Sequence, residues 1–258
     1  MPARLSSTRR IKLLLEYNGT RYHGWQIQPH AITVQGALET CLSKITNASV
    51  RVHAAGRTDA GVHALGQVAH FDTASTIALP ALVRGLNGLL ADDIAVRQAQ
   101  EVPADFHARY LARQKTYAYI VHNHPLRSVF HAPYTWHVPQ PLDLEAMRQA
   151  ASVLLGQHDF SAFRASACTA QSPVRCLLRL GLKRRGKRIV ILLSADGFLH
   201  HMVRNMVGTL IPIGLGRIPA SAMAPILQAR QRQQAGPTAP PQGLFLVRVR
   251  YADNDKGT

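Results

Sequence analysis

The stretch Ala55-Gly56-Arg57-Thr58-Asp59-Ala60-Gly61-Val62-His63-Ala64 combines a carboxylate, a guanidinium two residues before it, and glycines on both sides. Glycine reaches backbone angles barred to other residues, so such a loop can bend sharply and come close to a ligand. A nearby guanidinium favours the ionised carboxylate, an acceptor-only group that can serve as a nucleophile. The same residues also make an ordinary turn, with Asp59 capping backbone N–H groups and Arg57 facing solvent or phosphate. Residue chemistry alone leaves both readings open. Thirteen histidines invite a metal site. Yet His63 and His70 fall on a presumed strand pair, the adjacent His200 and His201 are expected on different faces, and neither HExxH nor a Cys/His cluster occurs. No metal is expected. Gly214-Leu215-Gly216 lacks the third glycine and the strand–turn–helix setting of a dinucleotide fingerprint, and there is no P-loop, so no cofactor is expected either.

The wider composition narrows the partner. The chain has 258 residues, 47% of them hydrophobic, enough for one large domain or two modest ones. Lys and Arg number 30 against 14 acidic residues, a formal charge of +16. Such an excess repels itself in a compact state and points to an anionic partner, best a phosphate backbone. The basic runs Arg184-Arg185-Gly186-Lys187-Arg188 and Arg230-Gln231-Arg232 read as solvated faces or peripheral phosphate contacts. Cys41, Cys168 and Cys176 are too few and too unevenly spaced for a disulfide framework, and their odd number suits a reducing compartment. No apolar run approaches the ~20 residues that span a bilayer. The N-terminal Arg4, Arg9 and Arg10 precede no secretory apolar region, and are expected to form a frayed arm able to touch phosphate. The expected location is cytoplasmic, with no membrane partner.

Hydrophobic periodicity supplies the elements that must position the loop. Ile11–Tyr17 reads as a strand, and a helix opens at Thr33, since Val34, Ala37, Leu38, Cys41, Leu42 and Ile45 share a face. Strands are expected over Val50–Ala55 and Gly66–Phe71, joined by the glycine-punctuated loop, then a helix over Ala78–Leu90 and a strand at Ile94–Arg97. That order, β-α-β-β-α-β, is the split βαβ or ferredoxin-like pattern. The second half follows a similar order: a strand at Thr116–His122, a helix over Leu142–Leu155, and strands at Leu177–Lys183 and Ile189–Ser194. Helices over Leu199–Leu215 and Ala220–Ala229 and a strand at Leu244–Tyr251 complete it. The fold class expected is α+β, two ferredoxin-like (RRM-like) halves, 1–110 and 111–258, with antiparallel sheets side by side and a cleft between them.

Residues 56–64 resemble the active-site motif of the tRNA pseudouridine synthases of the A type, the TruA family. Further matches occur in order: Tyr22-His23-Gly24-Trp25-Gln26-Ile27-Gln28, Asp105-Phe106-His107-Ala108-Arg109, Lys115-Thr116-Tyr117, Asp159-Phe160-Ser161-Ala162-Phe163-Arg164, the segment from Phe198 to Asn205, and Gly243-Leu244-Phe245-Leu246-Val247. The resemblance implies an isomerase that converts uridine to pseudouridine at positions 38, 39 and 40 of the anticodon arm. Asp59 would be the nucleophile, attacking C1′ of the sugar or C6 of the base. The glycosidic C–N bond breaks, the uracil turns, and it is rejoined through C5, so no redox group or metal is required. Arg57 would help displace the base, whose reacting atoms are shielded within a stacked stem. Tyr117 would pack on the flipped uracil, and Arg204 would pair with Asp59. Phe106, His107, Ala108, Arg109 and Tyr110 would form an RNA-facing segment, with Phe106 as a wedge. Arg164 and the loop through Gln171 would touch tRNA, and the protein would be a homodimer. The competing reading is a non-catalytic RNA-binding or tRNA-folding module on the same scaffold.

Overall fold

Residues 8–252 are described by the computed structural model. The chain divides into two compact units, one comprising residues up to Ala112 together with those from Arg248 on, the other Arg113–Val247. Among the described residues there are ten strands and five α-helices, a mixed α+β structure.

In the first unit, β1 (Arg9–Tyr17) alternates strictly, burying Ile11, Leu13, Leu15 and Tyr17 on one face. It lies antiparallel between β3 (His63–Thr73) and β4 (Ile94–Val102), in the order β4-β1-β3, and the two-residue β2 (His53–Ala54) also pairs with β3. Helix α1 (Val34–Thr46) starts where the Thr33 hydroxyl accepts the Gly36 N–H, and stops at Asn47, whose φ is 51°. Its buried stripe includes Val34, Leu38, Cys41 and Leu42. Helix α2 (Leu79–Leu89) has Pro80 in its first turn, buries Leu82 and Leu86, and packs against α1 and β4.

The expected strand over Val50–Ala55 shrinks to β2. The cause is local: the Val52 N–H donates to Glu39 Oε1 (2.9 Å) and its carbonyl accepts from Gln35 Nε2 (3.1 Å). Side chains of α1 thus take the backbone groups that a neighbouring strand would use.

The second unit is built on β5 (Ala112–Asn123), which starts at the division. The strand order is β5-β9-β8-β7, all antiparallel, with β7 at Gly156–Asp159, β8 at Val174–Arg185 and β9 at Arg188–Ala195. A short β6 (Trp136–Val138) adds to β5 in parallel. Three or four residues are too few to show alternation, which is why β6 and β7 escape a reading of the sequence. Helix α3 (Leu144–Ser152) is capped by Asp143, whose carboxylate accepts from the N–H groups of Glu145 and Ala146. Helix α4 (Met202–Gly214) is enclosed on nearly every side and forms the centre of this unit. Helix α5 (Met223–Ala229) follows, and β10 (Leu244–Tyr251) crosses the division, its last four residues belonging to the first unit.

Candidate active site

The loop carrying Asp59 is held almost entirely from outside itself. Gly24, at φ 84°, lies so close that a Cβ there would come within 2.5 Å of the Thr58 carbonyl. The next N–H, Trp25, donates to that same carbonyl (3.0 Å), and the Gly61 N–H donates to Tyr22 O (3.3 Å). Within the loop, the Val62 N–H reaches back to Asp59 O (3.1 Å), closing a turn whose third residue, Gly61, has φ 76°. The segment Tyr22–Gln28, matched above only by its pattern, is therefore the brace of the loop.

A second anchor comes from β3 and β1. Gln67 is fully buried and its amide nitrogen donates to Gly56 O (2.7 Å) and to the Tyr17 hydroxyl (3.3 Å). The Tyr17 hydroxyl, which accepts from Gln67, is also hydrogen-bonded to Thr58 Oγ1, 2.8 Å away, where either hydroxyl can supply the proton. Burial pushes the Tyr17 hydroxyl up to about 12, so Tyr17 stays protonated. Thr58 is thereby locked on its side chain and its carbonyl, while its neighbours Arg57 (exposed) and Asp59 (half-buried) are presented outward. Tyr17 and Gln67 were not singled out by the sequence reading. The available signal was a glutamine within β3, at a position enclosed among Gly66, Val68 and Ala69.

The segment after β4 sits over a nest of rings in the same unit. His53, His70 and His107 lie 4.7–5.8 Å apart by ring centroids, and His107 lies 4.2 Å from Tyr110. His70 Nδ1 accepts the Ala108 N–H (3.2 Å), and His107 Nδ1 accepts those of Arg109 (3.1 Å) and Tyr110 (3.3 Å). Both rings must be neutral at Nδ1 to do so. Burial, then the neighbouring His107, lowers His70 to about 4, and burial followed by His53 lowers His107. Half-buried Phe106 packs on Tyr251 (5.1 Å) and edge-on to His70 (5.9 Å), with the Lys12 ammonium 5.8 Å from its ring. Arg109 and Tyr110 face solvent together, the guanidinium 5.7 Å from the ring. Ala108 does not share that outward role. Its side chain is fully enclosed, its N–H is taken by His70 and its carbonyl by the Tyr251 hydroxyl (2.7 Å).

Arg9 and Arg10 correct another expectation. They are strand residues of β1 rather than a frayed arm. Arg9 donates to Ser75 O (2.8 Å) and Ile77 O; Arg10 makes two bonds of 2.7 Å to the Asp72 carboxylate and donates to Phe106 O (2.8 Å). Arg4 lies outside the described residues.

In the second unit, Tyr117 is a buried residue of β5 that meets Phe198 edge-on at 5.1 Å. Arg204, half-buried in the first turn of α4, donates from Nε to Ala239 O (2.7 Å), while its own carbonyl accepts the Ala239 N–H (3.1 Å). The loop around Pro237 lies so close that a Cβ on Gly208 would meet Pro237 O at 1.6 Å. Fully buried Asn205 ties this together. It donates to Phe163 O (2.8 Å) and accepts from Thr238 Oγ1 (2.7 Å) and Arg232 (3.1 Å), which also holds Ala235 O and Gly236 O. Arg232 is thus a clasp, not a solvated face. Its neighbour Arg230 pairs with Asp159 at 3.3 Å. His200 and His201 also differ from expectation: their rings lie 4.0 Å apart, because His201 takes a left-handed φ of 62° that swings adjacent side chains to one side. Arg164 is half-buried after Phe163, and Gln171 is exposed. No helix among the described residues is long and apolar enough to cross a membrane.

Comparison with known proteins gives this arrangement its context. Residues 14–111 and 150–252 match the family described as tRNA pseudouridine synthase. The chain is similar to tRNA pseudouridine synthase A of Myxococcus xanthus, 51% identical over 245 residues, covering 95% of this chain and 92% of that protein. It is also similar to the protein of that name from Burkholderia thailandensis, 48% identical over 242 residues, covering 94% of this chain and 90% of the relative.

Proposed function

The chain belongs to the tRNA pseudouridine synthase family, an isomerase family acting on tRNA, and from that premise we propose that it converts uridine to pseudouridine at positions 38, 39 and 40 of the anticodon stem-loop. Asp59 is the nucleophile in this reading. The observation that carries it is the loop itself: a carboxylate and an exposed guanidinium presented two residues apart from a backbone pinned at Gly56, Thr58 and Gly61. Pinning places a reacting atom without the entropy cost of ordering it at each turnover.

The reaction conserves atoms. The N1–C1′ bond breaks, C5 of the uracil bonds to C1′, C5 loses a proton and N1 gains one. The base must leave its stack to be reached, and Arg57 fills the place it vacates. Tyr117 packs on the extruded uracil, and Arg204 supplies counter-charge to the carboxylate. Phe106, Arg109 and Tyr110 form the wedge and rim of an RNA-facing segment whose backbone is set by His70, His107 and Ala108. Arg164 and Gln171 contact tRNA. The β4-β1-β3 order with β2 on β3 supports reading the first unit as ferredoxin-like, and we extend that reading to the second. The protein acts as a cytoplasmic homodimer.

The test is to incubate the protein with unmodified tRNA and map pseudouridine at nucleotide resolution. Product confined to positions 38–40 is expected. Product elsewhere overturns the site assignment, and binding without any product favours the RNA-binding module instead.

A further inference from the structure

The β8–β9 hairpin carries charge that the rest of its unit does not balance. From Val174 to Ala195 the chain has Arg175, Arg179, Lys183, Arg184, Arg185, Lys187 and Arg188 and no acidic residue. The two strands are joined by the turn Gly186-Lys187, with Gly186 at φ 57°. Arg185 and Arg188 stand directly opposite each other across that turn. Like charges at such a cross-strand position repel and destabilise the pair. Among the described residues, none of Lys183, Arg185, Lys187 and Arg188 pairs with a carboxylate. Acids on adjoining segments are committed elsewhere: Asp143 caps α3, Glu145 pairs with Arg148, and Asp196 accepts the Cys176 N–H.

Arg184 differs from its neighbours and shows how they are aimed. It donates to Asn123 Oδ1 (3.0 Å) and Leu142 O (3.5 Å), facing the side of the sheet shared by Ile189, Ile191 and Leu193. Alternation therefore sends Lys183, Arg185 and Arg188 to the opposite side, all three exposed, with Lys187 at the tip. Tyr117 pairs with Leu193, and His122 with Arg188, five residues further along. The cluster thus lies about 17 Å along the strand from the level of Tyr117 and on the other face of the sheet. It is separate from Tyr117, the candidate active-site residue of β5.

We propose that this hairpin face binds the ribose-phosphate backbone of RNA, at nucleotides other than the one that reacts. A polyanion relieves the Arg185–Arg188 repulsion that the protein leaves uncompensated, and the i, i+2 spacing of Lys183 and Arg185 is near that of successive phosphates. The inference rests on tRNA being the substrate, and it names a second contact surface for that same molecule. It predicts binding without base selectivity, since phosphate contacts carry no sequence information.

The test replaces Lys183, Arg185, Lys187 and Arg188 together by Gln and measures binding of an unmodified tRNA transcript across a salt series. Affinity at physiological salt should fall tenfold or more. The slope of log affinity against log salt should flatten by about 3, from ~0.7–0.9 per lost phosphate contact. The unfolding midpoint should stay level or rise, because repulsion has been removed. Should that variant fold poorly, Arg185→Gln/Arg188→Gln alone should flatten the slope by about half as much. Unchanged affinity and slope would sink the proposal. So would loss of binding to vesicles of anionic lipid, or to an acidic peptide, with tRNA affinity intact. Because binding is read without turnover, absence of pseudouridine formation would count against the proposed reaction and not against this surface.

Discussion

In the first unit Asp59 rides on a loop held largely by backbone groups, whereas in the second Arg204 rides on a helix whose surroundings are locked by side chains centred on the buried Asn205. The loop has no ladder of its own, so it borrows partners: Trp25 N–H and Tyr22 O from one direction, Gln67 and Tyr17 from another. The helix already satisfies its backbone. What must be fixed there is the Pro237–Pro240 loop against it, and Asn205, Arg232 and Thr238 do that. The contrast separates geometry from stability. Loosening the first clamp should mostly misplace a reacting group, and loosening the second should mostly weaken the fold.

The largest effect should come from Asp59→Asn, which keeps shape and removes the nucleophile. Turnover is expected to drop by on the order of 10⁴-fold, with tRNA affinity held within about tenfold, or ~1.4 kcal/mol. Pseudouridine formation and binding measured side by side would show it, and a variant that still turns over refutes the assignment. Next in size, Asn205→Leu orphans Phe163 O, Thr238 and part of Arg232, costing about 3 kcal/mol in denaturant unfolding. A cost below ~1 kcal/mol would mean that the second clamp is not structural.

Gln67→Leu tests the other side of the contrast. It frees Gly56 O and Tyr17, and should lower kcat ten- to a hundredfold, as roughly 1 Å of misplacement can do. KM should change less, and the unfolding midpoint should stay closer to wild type than that of Asn205→Leu. Equal losses of stability in the two variants would erase the distinction.

The smallest effect concerns pH. His70 is held well below its ordinary 6.5, at about 4, so its folded form favours the neutral ring. Its contribution is complete above pH 6.5 and is lost progressively as pH falls toward 4, because the unfolded chain takes up the proton first. Thermal unfolding between pH 7 and 4 should therefore decline less steeply in His70→Gln than in wild type. Parallel curves would remove His70 from the support of the 106–110 segment.

Much of the scaffold was open to a reading of residues alone. Ile11, Leu13 and Leu15 alternate, Val34, Leu38 and Leu42 recur at helical spacing, and each falls in the element expected. The misses have physical reasons. Val50–Ala55 looked like a strand because valines are apolar there, but α1 side chains take Val52's backbone groups. Arg9 and Arg10 looked like a loose arm because charge suggests exposure, yet Arg10 has Asp72 opposite it in register. His201's left-handed backbone leaves no trace in a histidine pair.

The sequence by itself determined the α+β class, the order of the elements, the basic character and the Gly56–Ala64 segment as the place to look for chemistry. These are local properties: periodicity, charge count and glycine spacing are set by residues close in the chain. Tertiary structure decided what holds Asp59 in place, since Tyr17, Gly24 and Gln67 come from three separate segments. It likewise decided that Arg232 is a clasp while Arg185 and Arg188 remain an unbalanced pair. Hydrogen bonds and charge balance depend on which groups meet in space, and only the folded chain brings those groups together.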